Sequence, residues 1–415
     1  MITCLDDPSA VDPKRVGAKA AALARARQGG LPILPGFVVE ASASLRHIEL
    51  GSSVLAGRGS GGARLAVTSE PVPAAARIEA AGRELSATLA VRSSSPLETD
   101  GIWAGAFTSY LGIPPGDLPK AVAGCWASAF SVDALERHRR AGILPGSVPM
   151  AVLVQPSIDP TVGGVAEISP EGTMRVMAVA GSPAPLLQGW ERGVAASRDS
   201  TQAWEGVEAI ALVGMGALDE IGAVLGQASR RFGFTRCEWA VAGSLWILQM
   251  GTVASSSTIE VPAQVATSPD LIPLVRANFA GSAGVAGKRA QGVSDPIAAA
   301  VVLDHGVRAQ GIPAAPGVGV GLLHHIALPD GQAPPLRAVI SAPSAVPNLS
   351  QLIWDAAGLV TGRGSPVAHV FEAARSLRVP AVSGVDLEPR ADQIVAVDGF
   401  TGVVATLPLR AQPIP

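Results

Sequence analysis

The chain is short of several things that would point to particular functions. Only three cysteines occur in 415 residues, Cys4, Cys125 and Cys237. Their odd number and wide scatter give neither a disulfide framework nor the paired spacing of a zinc site, so free buried thiols are expected. Lysine is confined to Lys14, Lys19, Lys120 and Lys288, and tyrosine to Tyr110, which makes each more informative than usual. The charges nearly balance, 31 basic against 34 acidic side chains, removing the electrostatic case for a nucleic acid or an anionic membrane as partner. No apolar run reaches the roughly 18 residues of a membrane span. The opening MITCLDD lacks the basic-then-apolar order of a signal peptide. A cytoplasmic protein with no nucleic-acid or membrane partner is the expectation.

The length suits two or three domains. The most telling stretch is Thr361 to Val382, TGRGSPVAHVFEAARSLRVPAV. Ala357 to Val360 reads as a short buried strand, broken into a loop by Gly362 and Gly364. Ser365 as N-cap and Pro366 as first helical residue predict a helix beginning there. Its periodicity places Val370, Phe371 and Ala374 on one face, with His369, Glu372 and Ser376 on the other. A histidine off the apolar stripe and in a first helical turn is suited to carrying an anion. The stretch resembles the phosphohistidine motif of phosphoenolpyruvate-utilising enzymes, with His369, Ala374, Arg375, Pro380, Ala381 and Val382 in register. It departs at Ala368, where the family usually has Ser, Thr or Cys.

Other segments resemble the nucleotide-binding domain of pyruvate phosphate dikinase and phosphoenolpyruvate synthase. KRVGAKAAALARARQGGLPILPGFVVEA (14–41) is a predicted helix ending at Gly29-Gly30, then a strand, and is similar to that domain's opening. Lys19 matches the family's nucleotide-contacting lysine, and Ala18 replaces a glycine. Gly57 to Gly62, GRGSGG, reads as a connecting loop, lacking the lysine and spacing of a P-loop. LAVRSSSPLETDGIWAGAFTSYLGI (89–113) predicts a strand running into Arg92-Ser93-Ser94. A guanidinium at a strand end can grip two phosphate oxygens, with the hydroxyl of Ser93 and a mobile glycine loop closing over them. Cys125 to Ser128 is expected to open a helix running to Arg140. MAVLVQ (150–155) reads as a buried strand, and Gln155 is a candidate for the adenine edge, the alternative being a simple strand terminus. Ser182-Pro183-Ala184 stands where the family has an acid and glycine.

CEWAVAGSLWILQM (237–250) is two apolar runs joined by Gly243-Ser244, read as a two-residue hairpin turn. Counting outward, Glu238 faces Gln249, and directly opposed residues share a sheet face. A carboxylate and an amide oxygen so placed can share a hard cation beside ATP phosphates; a solvated face is the alternative. The family has the same Glu-Trp…Leu-Gln pattern, and its metal ligands map to Glu238 and Gln249. An arginine two residues beyond the glutamine is absent, Gly251 standing in its place.

The resemblance implies an α/β and α+β multidomain fold: an ATP-grasp nucleotide-binding domain over 1–252, a linker and candidate acceptor-contacting segment over 253–305, and a swivelling β/α phosphohistidine domain over 306–415. It implies ATP and Mg2+ as cofactors, with Lys19, Arg92, Ser93, Gln155, Glu238 and Gln249 at the nucleotide. His369 and Arg92 would be catalytic. ATP would phosphorylate His369, leaving AMP and phosphate, and the phosphoryl group would pass to a small-molecule acceptor, activating it in one version for condensation or dehydration. Two alternatives stay open: the nucleotide-handling half of a split system that serves a partner protein, and a degenerate member that binds nucleotide without turnover.

Overall fold

The computed structural model describes residues 2–99, 101–199, 203–253, 267–280, 295–327, 334–390 and 392–410. Lys288, Arg289 and most of the linker segment lie outside them. The chain forms two compact units of mixed α/β structure. The first takes Met1–Pro183 and Gly193–Val253, the second Ala184–Arg192 and Ala254–Pro415.

The first unit carries two five-stranded sheets. One is built from β1 (Ile2–Cys4), β2 (Phe37–Val39), β3 (Leu89–Ser94), β4 (Ser109–Ile113) and β5 (Ala151–Pro156), in the order β1-β2-β5-β3-β4. The other holds β6 (Val162–Ile168), β7 (Met174–Ala180), β8 (Val194–Arg198), β9 (Arg236–Ala242) and β10 (Ser244–Gly251), in the order β10-β9-β6-β7-β8. Every pairing in both is antiparallel. The helices are α1 (Pro13–Gln28), α2 (Leu45–Ser69), α3 (Ala75–Leu85), α4 (Leu118–Ala127), α5 (Val132–Ala141), then α6 (Ala184–Leu187) of the second unit, α7 (Val207–Val213) and α8 (Met215–Phe232). The unbroken apolar run of β5 reflects burial on both faces. Ala151 and Leu153 pack in the core with α1 and α8, while Val152 and Val154 pack with α2 to α5.

Helix α1 fixes the end of β3. Asp12 caps it, its Oδ1 accepting from Lys14 N at 2.9 Å, and Pro13 fills the first position. At Gly17 the helix breaks, with φ of +77°, and a Cβ there would come within 2.0 Å of the Ser94 carbonyl oxygen. Only glycine permits that approach. Ala18 N then donates to Ser95 O at 3.1 Å, and Lys19 is delivered beside β3. Arg15 and Thr3 donate to Glu40, at 3.0 and 2.9 Å. Burial alone would raise the Glu40 carboxyl, but these donors hold it at about 2.

Two sequence expectations change here. The GRGSGG stretch lies inside α2, which is interrupted at Gly59 with φ of +61°; packing of Gly51, Ala63 and Val67 against the core around Phe130 overrides weak helix propensity. Cys125 to Ser128 closes α4 instead of opening a helix. A new helix, α5, starts where the Ser131 hydroxyl accepts from Ala134 N at 3.1 Å.

The second unit is an eight-stranded sheet of β11 (Val307–Gln310), β12 (Ile312–Ala315), β13 (Val318–His325), β14 (Val339–Ser344), β15 (Gly358–Arg363), β16 (Ala381–Ser383), β17 (Gln393–Asp398) and β18 (Val403–Pro408). Their order is β11-β18-β17-β13-β14-β15-β16-β12. The run β13-β14-β15-β16 is parallel. Helices α9 (Ile272–Ala280), α10 (Asp295–His305) and α11 (His369–Leu377) complete it. Residues alternate along the strands: Ile340 and Leu359 pack with Phe371 of α11, Val320 and Ile394 with α9 and α10, and Val339, Val360 and Val395 form a separate cluster.

No single helix among the described residues is long and apolar enough to cross a membrane. Helices α7 and α8 pass that test only when joined, and they are bent by 92° at Gly214.

Candidate functional site

In the first unit, Arg92, Glu238 and Gln249 come together. Glu238 and Gln249 are directly opposed across β9 and β10, by a route different from the expected one. The turn leaves out only Gly243, pairing Ser244 with Ala242, and an irregularity at Leu248 then restores the register. A bulged residue is released from the ladder, and the carbonyl of Leu248 accepts from Arg92 Nη1. Arg92 Nη2 donates to Gln249 Oε1 at 3.2 Å and lies 3.7 Å from Glu238 Oε2. These groups are largely withdrawn from solvent, Arg92 15% and Glu238 7% exposed, so the charges act with little screening.

Lys19 reaches the neighbouring end of β3, where its Nζ donates to Ser93 O at 3.2 Å and to Glu98 Oε1 at 2.9 Å. Glu98 Oε2 also accepts from Ser95 N at 2.8 Å. The carboxylate thus sits on the ammonium expected to meet phosphate.

Ser93 does not join this group through its hydroxyl. Adjacent residues on a strand point to opposite faces; Ser93 is fully buried, on the side of Leu89 and Val91, which pack in the core with α4. Gln155 is also buried, and its Nε2 donates to Leu34 O at 3.0 Å. That makes it a brace at a strand end, the alternative reading. The loop expected to be mobile is anchored: buried Arg137 donates to the carbonyls of Ile102 and Ala104, and Trp103 lies edge-on to His138 at 4.7 Å. Burial pushes the thiols of Cys125 and Cys237 up to about 12, leaving both inert at neutral pH.

In the second unit, His369 is the first residue of α11, which crosses from β15 to the parallel β16. Sites in such units form at the carboxyl ends of parallel strands. The helix starts three residues later than expected. Ser365 and Pro366 form a preceding turn, with Ala368 N donating to Ser365 O at 3.0 Å, and Ala368 is the N-cap, with no side-chain hydrogen bond. This turn is tightly held. Gly364 has φ of +126°, and a Cβ there would lie 2.4 Å from that of Ala345. Ser383 Oγ donates to Gly364 O at 2.6 Å, and Arg375 Nη1 donates to Pro366 O at 3.1 Å and Ala314 O at 2.7 Å. Arg375 therefore shapes the approach to the histidine.

The side chain of His369 is 19% exposed and meets Glu372 Oε2 at 3.0 Å through Nδ1. Ala368 is fully buried in the apolar cluster around Phe371, so the expected hydroxyl position faces the core in this chain.

Three charged residues went unassigned from sequence. Glu98 lies 79 residues from Lys19, so nothing local in the sequence joins them, whereas the i,i+3 spacing of His369 and Glu372 marks those two as helix neighbours. Arg236 was within reach of the hairpin count: it is directly opposite Gly251, on the face that bears Glu238 and Gln249. It is 5% exposed and paired with Glu167 at 3.0 Å. A guanidinium thus stands across the ladder from the position that lacks one.

Comparison with known proteins bears on both units. Residues 64–183 match the pyruvate phosphate dikinase AMP/ATP-binding domain, and residues 335–402 the mobile domain of PEP-utilising enzymes. The prodigiosin synthesizing transferase PigC of Serratia marcescens is 31% identical over 175 residues, which are 40% of this chain and 19% of the relative. The match thus spans about a fifth of that relative's length. Among solved structures, a dinucleotide-forming acetyl-coenzyme A synthetase of Ca. Korarchaeum cryptofilum is 11% identical with a TM-score of 0.29, covering 56% of this chain and 90% of that one. An ATP citrate lyase of Methanothrix soehngenii is 11% identical with a TM-score of 0.22, covering 71% and 83%. Scores this low carry no inference.

Proposed function

We propose that this chain is a member of the phosphoenolpyruvate synthase and pyruvate phosphate dikinase family, a reading supported by the two matched stretches and the PigC relative, and that it is an ATP-dependent phosphotransferase acting through His369. It passes a phosphoryl group from ATP to that histidine and on to a small-molecule acceptor, while water cleaves the other phosphoanhydride bond, so that AMP and phosphate are released. In this reading the paired antiparallel sheets are an ATP-grasp nucleotide-binding domain and the eight-stranded unit is a swivelling phosphohistidine domain. The observation that carries it is the meeting of Arg92, Glu238 and Gln249 from three strands.

The donor set suits Mg2+. A magnesium ion beside phosphates takes one or two protein oxygens and draws the rest from substrate and water, and Glu238 and Gln249 offer a carboxylate and an amide oxygen on one face. The condition is that Arg92 releases Gln249. Mg2+ held there would neutralise phosphate charge. Arg92, so released, grips phosphate oxygens in its planar fork, and Lys19 exchanges the Glu98 carboxylate for phosphate. His369 supplies the nucleophilic nitrogen. The similarity to a prodigiosin synthesizing transferase supports a version in which phosphorylation activates the acceptor for condensation.

A second reading, nucleotide binding without turnover, is favoured by Gly251 and by the acids already seated on Lys19 and Arg92. Incubating the full chain with Mg-ATP separates the two. Phosphotransfer predicts AMP instead of ADP and an acid-labile phosphate on the intact protein, lost in His369→Ala with nucleotide binding retained. Wild type that binds ATP yet forms neither AMP nor label sinks it. Turnover with a small molecule and no added protein excludes a split system serving a partner protein.

A further inference from the structure

The contact between His369 and Glu372 constrains the chemistry of the ring. Nδ1 lies 3.0 Å from Glu372 Oε2, and both side chains are four-fifths buried. An ionised carboxylate only accepts hydrogen bonds, so Nδ1 is the donor and carries the proton. The lone pair of the neutral ring is then on Nε2, which has no hydrogen-bond partner among the described residues. Glu372 sits one turn along α11 from the histidine, on the same face. The turn before the histidine is braced by Ser383 and Arg375, and buried Ala368 brings no hydroxyl to the ring.

We propose that Glu372 is the positioning residue for phosphoryl transfer at His369: it fixes the Nδ1–H tautomer, presents Nε2 as the accepting atom, and supplies the counter-charge for the phosphorylated ring. This rests on the reading that His369 carries phosphate. The Nε2 lone pair forms the N–P bond while the P–O bond to the leaving group breaks, and that electron pair departs on the leaving oxygen. Nδ1 keeps its proton throughout. The ring, substituted at Nε2 and still protonated at Nδ1, becomes cationic, and the Glu372 carboxylate is already in place against it. No base has to remove a proton from the ring.

The test uses the full chain with 15N-labelled histidine, the His369 signals being identified by their loss in His369→Ala. In the neutral wild-type ring, Nδ1 is protonated and Nε2 bare. Glu372→Ala moves the ring toward the Nε2–H form that predominates without a partner. With Mg-ATP the phosphate appears on Nε2, and its rate of formation falls by about 10- to 100-fold in Glu372→Ala, the scale of a charge-assisted hydrogen bond. Glu372→Gln, whose amide oxygen accepts the same bond without the charge, falls between. A wild-type ring protonated at Nε2, a tautomer unchanged in Glu372→Ala, or phosphate on Nδ1 overturns the proposal. The wild-type spectrum decides the tautomer even if the alanine variant fails to fold. A wild-type ring that holds Nδ1–H yet takes no phosphate supports the hold of Glu372 on the ring and overturns phosphotransfer instead.

Discussion

In the first unit three cations rest on acids of the same chain: Lys19 on Glu98, Arg92 on Glu238 and Arg236 on Glu167. In the second, His369 shares one nitrogen with Glu372 and has no partner at the other among the described residues. Both arrangements cover buried charge, but they ask different things of a substrate. A nucleotide must displace carboxylates, and the energy of buried pairs makes that exchange costly unless phosphate and metal replace each lost partner. In the proposed transfer the histidine needs no exchange, because its partner occupies the nitrogen that would not react. Binding would therefore remake the first site, while the second is preorganised.

The sharpest way to break that contrast is at Arg92. Arg92→Met removes the guanidinium from Glu238, Gln249 and the Leu248 carbonyl together. It should lower the rate of ATP-dependent labelling by about 100- to 1000-fold, the scale of losing one preorganised donor to developing charge, and weaken nucleotide binding. His369→Ala should abolish label while leaving nucleotide affinity within about twofold, a change of some 0.4 kcal/mol. Nucleotide titrations beside label counting measure both. An Arg92→Met chain that labels at the wild-type rate would show the cluster to be a structural ion pair.

What the sequence revealed of these sites followed from local chemistry. Periodicity identified the buried face of α11, and alternation with an apolar run identified β3 and β5. The opposition of Glu238 and Gln249 was anticipated for a reason that was only half right: a one-residue turn and a bulge at Leu248 offset each other. That bulge is a tertiary matter, because the carbonyl it frees is taken by an arginine 156 residues away in sequence. The same limit explains the remaining differences. Ser93 was grouped with Arg92 by adjacency, although strand geometry puts its side chain on the opposite face. Ser365 is a good cap, but the bracing by Arg375 and Ser383 favours a turn ahead of the helix. The acids on Lys19 and Arg92 lie 79 and 146 residues from their partners, beyond any helical or strand periodicity.

Arg236 offers a smaller effect and a cleaner logic. If it stands in for a guanidinium at position 251, Arg236→Gly should slow labelling by about 10- to 100-fold, the worth of a charged hydrogen bond. Moving the charge across the ladder in Arg236→Gly with Gly251→Arg should recover most of that loss, since directly opposed residues share a face. Label rates of the single and double variants are the measurement. A double variant as slow as the single one would confine Arg236 to its bridge with Glu167.

The smallest predicted effect tests the contrast from the other side, by adding capacity. Glu98→Gln keeps a hydrogen-bonding group against Lys19 and Ser95 but removes the negative charge that ATP would displace in the proposed binding mode. Lys19 and Glu98 are 10% and 11% exposed, so little solvent screens the change. The folded chain should lose about 2 kcal/mol, the value of a hydrogen bond to a charged group, while its affinity for ATP rises about three- to tenfold. Thermal unfolding without nucleotide and ATP titration of the folded protein read these opposite shifts separately. Affinity that falls together with stability would mean that Glu98 holds Lys19 in its working position. The first unit would then be as preorganised as the second, with the acid serving to aim the lysine.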